Sequence, residues 1–137
     1  MKKIRKSACI LLILFSFVIT SASDVMAMAN SENGTWKKAI RGTTWYFDVN
    51  DYTSRVPGSK YYGMVYIYKG KTNLNNHEPA VSVEYSKVGK NKFKIKYSGG
   101  TITFKVNKKS MILKQVRGTV KGRKLIGRFK LVRRHYS

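Results

Sequence analysis

The sequence is poor in acid, cysteine, imidazole and proline. Of 137 residues, 6 are Asp or Glu against 28 Lys or Arg, a formal net charge of +22. The single cysteine, Cys9, excludes an internal disulfide and any cysteine-built zinc cage. Two histidines and six carboxylates leave little material for metal or acid–base chemistry. No Gly-rich phosphate loop, metal-ligand spacing or nucleophile elbow occurs. His77 beside Glu78 reads as a loop pair, and His135 as part of the tail. Asp48 and Asp51, three apart near a strand end, read as turn capping rather than an acid–base pair. The expectation is therefore no enzyme, no cofactor and no metal site.

What is present begins with an address. Lys2, Lys3, Arg5 and Lys6 form a positive start, and residues 8–20 an apolar run of 13. Ala27-Met28-Ala29 supplies the small-x-small pattern of a cleavage site, with Ala22 as the alternative. The apolar run falls short of the about 20 residues that span a bilayer. Residues 1–29 thus read as a secretory signal peptide, the rival being an uncleaved anchor. Cys9 would leave with it, as suits an exported chain that does not rely on oxidative folding. Residues 30–137 form one domain, expected to be extracellular and held at the cell wall by charge.

With 42% hydrophobic residues the chain is no disordered polycation. Apolar and polar residues alternate along Thr43–Val49, Ala80–Tyr85, Lys92–Tyr97 and Thr101–Val106, and Tyr61–Tyr68 is dense in the strand formers Tyr, Val and Ile. Such alternation is the mark of a half-buried strand. Met111–Val120 breaks its alternation near Gln115–Gly118, which predicts a bulge or bend. Leu125–Val132 completes about seven strands. Ser98-Gly99-Gly100, Asn107-Lys108-Lys109-Ser110 and Lys121-Gly122-Arg123-Lys124 are hairpin-length connectors. The longer loops, 50–60 and 69–79, hold both prolines, Pro57 and Pro79. Thr35 is expected to cap a short helical turn, Trp36–Arg41, ended by Gly42. The architecture expected is all-β: a small antiparallel up-and-down barrel, with a β-sandwich as the alternative.

Arg41-Gly42-Thr43-Thr44-Trp45-Tyr46, after that turn, resembles the "GTWY" opening of small secreted proteins of lactic acid bacteria. It is also similar to the lipocalin (calycin) start, in which a Gly-x-Trp sits at the base of the first strand. The sequence departs from that pattern with Gly-x-x-Trp at 42–45, while Gly34–Trp36 lies before the turn. The resemblance implies a barrel, and a basic residue of the last strand, Arg128 or Arg133, over the Trp.

The acids all lie before residue 85, and the 53 residues from Tyr85 to Ser137 carry 17 basic residues. If Phe93, Ile95 and Tyr97 face inward, then Lys92, Lys94 and Lys96 face outward, joined by Lys105, Lys114, Arg128 and Lys130. The turns add Lys108, Lys109, Lys121, Arg123 and Lys124, and the tail Arg133 and Arg134. Solubility needs a net charge of only about 2–8, so the excess points to an extended polyanion. Teichoic acid, anionic glycan and nucleic acid all qualify. Tyr61, Tyr62, Tyr66 and Tyr68 are candidate aromatic contacts, or core and cross-strand partners. Two rival readings are a calycin-like cup for a small ligand or inhibitor, and a cationic antimicrobial or toxin-like protein. Basic edge strands resist pairing, so a monomer is expected.

Overall fold

In the computed structural model, residues 31–54, 56–70 and 78–135 are described. The expected signal segment with Cys9, and the loop with His77, lie outside them. Eight strands follow one another: β1 (Gly34–Ile40), β2 (Thr43–Asp51), β3 (Tyr61–Lys69), β4 (Val81–Gly89), β5 (Lys92–Tyr97), β6 (Gly100–Asn107), β7 (Ser110–Gly118) and β8 (Gly127–Arg134). Each pairs antiparallel with the next, and β8 returns to β1, closing the sheet. This is the up-and-down barrel expected, not the sandwich.

The eighth strand is β1, where the sequence reading placed a helical turn. The inner face of β1 reads Gly34, Trp36, Lys38, Ile40, so a lysine interrupts its apolar alternation and hides the strand. Arg41 and Gly42, with φ of 48° and 81°, form a two-residue hairpin turn of the primed kind, so Gly42 ends a strand rather than a helix. β1 then pairs with β2 over seven residues, from Gly34 opposite Val49 to Ile40 opposite Thr43. Thr35 caps nothing: its hydroxyl donates to Asp48 across the sheet at 3.0 Å.

The break foreseen in β7 is a bulge. Thr101 and Ile102 oppose Arg117 and Gln115, leaving Val116 unpaired and exposed. Gly118, with φ of 72°, takes the backbone past Gly99, whose carbonyl would lie 1.8 Å from any Cβ. Gln115 spans the bulge: its amide donates to Tyr97 Oη at 2.6 Å and Arg117 O at 2.9 Å, and its carbonyl accepts from Leu125 N–H.

Inside, alternate residues of every strand meet. Phe47, Tyr85, Phe93, Phe104 and Phe129 form one ring cluster, with centroids 5.0–6.3 Å apart and mostly edge-to-face. Fully burying each such ring contributes about 1.5–3 kcal/mol. Trp36, opposite Phe47, and Trp45, opposite Lys38, are as buried as the rings themselves. Gly63 is the tight point. A Cβ there would lie 2.2 Å from Asn50 O and 2.6 Å from Asp51 Cα, both backbone, and 2.8 Å from the Tyr85 ring. Gly63→Ala is expected to cost at least about 2 kcal/mol of unfolding free energy, measured by urea titration, because neither neighbouring strand can yield without breaking the ladder.

Candidate functional site

Strand register, not loop conformation, positions the basic side chains. Lys92 lies opposite Lys105, Lys105 opposite Ile112, and Ile112 opposite Arg128. The next row runs Ser86, Lys94, Thr103, Lys114. A third runs Lys96, Thr101, Arg117. Around the seam, Lys130 lies opposite both Ser110 and Lys37. Rows of this kind are spaced about 4.8 Å between strands and roughly 7 Å along them. The outer face of β5–β8 and β1 is therefore a two-dimensional array of cations, most of them exposed. Among the described residues the one salt bridge is His135–Asp48, so none of these lysines or arginines is neutralised by a carboxylate.

The remaining basic candidates divide between the two barrel ends. Lys108 and Lys109 turn β6 into β7 at one end, where Lys108 holds a φ of 54°. Lys121, Arg123 and Lys124 lie at the other, in a tight turn closed by the Val120–Arg123 bridge. Arg133 is exposed opposite Thr35. Arg134 is engaged within the fold, donating to Ser31 O at 2.8 Å and Lys108 O at 3.4 Å.

The four candidate tyrosines do not share a face. Tyr66 and Tyr68 point outward, opposite Asp48 and Tyr46 of β2. A register shift between Tyr61 and Gly63 separates Tyr61 from Tyr62. Tyr62 packs against the core, beside Glu32 and Phe93 at the barrel rim. Tyr61 borders an outer recess of about 500 Å³ with Ser82, Glu84, Lys94 and Lys96. Lys60 Nζ lies 5.1 Å from its ring centroid. Burial pushes the Tyr68 hydroxyl up from its ordinary pKa. Tyr52 donates to Glu84 Oε2 at 2.8 Å, and that bond pushes its pKa up to about 12. The half of the barrel formed by β2–β4 thus carries tyrosines together with Asp48 and Glu84, opposite the basic half.

Two polar clusters were not foreseen. Glu32 is buried at the mouth of the barrel, its Oε2 accepting from Tyr85 Oη at 2.9 Å and its carbonyl from Trp36 Nε1 at 3.0 Å. Loss of water raises the Glu32 carboxyl above its ordinary range, against the lowering effect of its hydrogen bonds. Burial, then the nearby Glu32 charge, raises Tyr85 as well. Glu32 stands before the first strand without a periodic neighbour, so only the tertiary structure reveals it. The second cluster joins β1, β2 and the tail. His135 Nε2 lies 2.6 Å from Asp48 Oδ1 and 3.3 Å from Thr35 Oγ1. Asp48 therefore stands mid-strand as an anchor for the tail, not as a turn cap paired with Asp51. With Nε2–H donated to Asp48, that nitrogen has no lone pair to take a proton from Thr35, so the trio is a tie and not a nucleophile–base pair.

Among the described residues the inner face carries one continuous cluster of buried apolar side chains. The Gly-x-Trp at the base of the first strand is Gly34–Trp36, within β1. Gly42 lies in the β1–β2 turn, and Trp45 in β2. The cation over Trp45 is Lys69 of β3, with Nζ 5.7 Å from the ring centroid, whereas Arg128 and Arg133 are exposed on β8. Comparison with protein-family models, with curated proteins and with solved structures found no match.

Because folding raises the Glu32 pKa above its unfolded value of about 4.5, its contribution to stability is full below that value. The contribution is lost as pH rises through the raised pKa. Glu32→Gln is expected to gain on the wild type as pH rises above about 4.5 and to level off once the raised pKa is passed, measured as the difference in urea midpoints.

Proposed function

We propose that the protein is a secreted, monomeric binder of extended polyanions, acting at an anionic cell surface through the outer face of β5–β8. The observation that carries this reading is the register. It sets Lys92, Lys94, Lys96, Lys105, Lys114, Arg128 and Lys130 on β5–β8, strands that carry no carboxylate, with Glu84 of β4 at the edge beside Lys94 and Lys96. Like charges at this density repel and cost stability in the free protein, and a polyanion relieves that repulsion on binding.

The chemistry suits a flexible, repetitive partner. Lysine is a compact point charge on a mobile stem, and lysines outnumber arginines on the array. Contact is therefore diffuse, and affinity comes from released counterions rather than from a shaped fit. The barrel beneath keeps the array in register, because each outward cation has inward neighbours locked in the core.

Engaging about five anionic groups predicts a slope near −4.5 in a plot of log affinity against log salt. Raising salt from about 0.15 M to about 0.5 M then weakens binding roughly two orders of magnitude. Changing Lys94, Lys96, Lys105 and Lys114 together to Glu is expected to abolish retention on immobilised lipoteichoic acid, heparin and duplex DNA, while circular dichroism stays that of the barrel. Retention unchanged in that variant overturns the reading.

A further inference from the structure

The β1–β8 seam closes only part of its length. Pairs run from Gly34 opposite Arg134 to Lys37 opposite Lys130, and none follows. Beyond that point Lys38–Ile40 and the start of β8 part, and a recess of about 360 Å³ opens between them. Its lining brings together Lys37, Lys38, Arg128 and Lys130, with Thr44 and Ala39 and no acid.

Lys38 makes this a built feature rather than a chance gathering of surface charge. By register it belongs to the inner face, opposite the buried Trp45 and between Trp36 and Ile40 along the strand. An ammonium aimed into an apolar core is costly, so its stem must lead the charge out. Gly127 supplies the passage. A Cβ on Gly127 would stand 3.1 Å from Lys38 Nζ and 3.2 Å from its Cε, and the residue holds a φ of +112°. The side chain therefore lies across a glycine and delivers its charge to the recess from the inner side. Lys37, Arg128 and Lys130 approach from the outer side.

We infer that this opening is a discrete site for a phosphate group, the anionic unit of the polymer that the proposed function holds. Four cations from two strands surround one recess, and the donors reach it from two sides. A tetrahedral, multiply charged oxyanion accepts from several directions at once, and the Thr44 hydroxyl adds a neutral donor. A planar carboxylate offers acceptors in one plane only. Phosphate therefore uses this arrangement more fully than a uronic acid does. The inference rests on the polyanion reading for its ligand class; the recess shares Arg128 and Lys130 with the array, but none of Lys94, Lys96, Lys105 or Lys114 lines it.

Isothermal titration of the full-length mature protein with inorganic pyrophosphate, at about 0.15 M salt, is the test. One saturable site is expected. Lys38→Gln should weaken it about tenfold or more, whereas Lys92→Gln, which removes the same charge outside the recess, should change it less than about twofold. Should Lys38→Gln fail to fold, the exposed pair Lys37→Gln with Lys130→Gln carries the same expectation. The variant with Glu at 94, 96, 105 and 114 should still bind pyrophosphate. Loss of polymer retention in that variant with pyrophosphate binding intact separates the two sites. Repeating the titration with a glycerol-phosphate polymer assigns the source. If Lys38→Gln weakens both probes, the site takes phosphates of a chain; if pyrophosphate alone, it takes a free oxyanion. Equal weakening by Lys38→Gln and Lys92→Gln, or no saturable pyrophosphate binding while polymer retention persists, overturns the inference and leaves the polyanion reading standing.

Discussion

The ladder between β1 and β8 is the interaction on which the molecule depends. Four residue pairs join the first strand to the last, with Trp36 and Leu131 at the inner side of the joint. The ladder turns an eight-stranded ribbon into a ring, and only in a ring do the alternate residues of every strand face one common interior. The same act assigns every other residue to the outside. Phe93 and Phe104 stack inward at 5.2 Å because Lys92, Lys94 and Lys105 stand outward on either side of them. Core and charged surface are two aspects of one period-2 pattern.

The rim where the chain enters and leaves reinforces that joint. Asn33 Nδ2 donates to His135 O at 3.0 Å, and His135 N–H donates to Asn33 O at 3.3 Å. His135 also meets Asp48, and the Asn33 side chain accepts from Asp51 N–H at 3.0 Å. Closure is therefore held by the ladder, by the tail and by the buried Glu32–Tyr85 pair just inside. In the closed barrel every strand has a neighbour on both sides, and the edge left free is the short stretch of β1 and β8 beyond the Lys37–Lys130 pair.

Legibility in the sequence followed the strength of local patterning. Lys92–Tyr97 alternates cleanly and its limits were read as they stand. The bulge of β7 was readable because Gln115–Gly118 breaks the period and ends in glycine. β1 was not, since Lys38 occupies an inner position, and a lysine there is sensible only once Gly127 from β8, far along the chain, is known to lie beside it. The outward direction of the basic residues was legible from parity alone. Their continuity across the seam to Lys37 was not, because ring closure is a tertiary fact. Parity failed for Tyr62, since the shift beside Gly63 turns it from its neighbours. Glu32 and the His135–Asp48 contact join residues with no local pattern between them, and only packing brings them together.

The unequal division of charge around the barrel has a mechanical side. Cations crowd β5–β8 and β1, while β2–β4 balance Asp48, Asp51 and Glu84 against Lys69 and Lys87, so the excess positive charge lies on one side of the axis. Near a negatively charged layer such a body experiences a torque as well as an attraction. It settles on its side, cationic half down, with Tyr46, Tyr66 and Tyr68 directed away from the layer. Under the proposed function, adsorption would fix orientation as well as location.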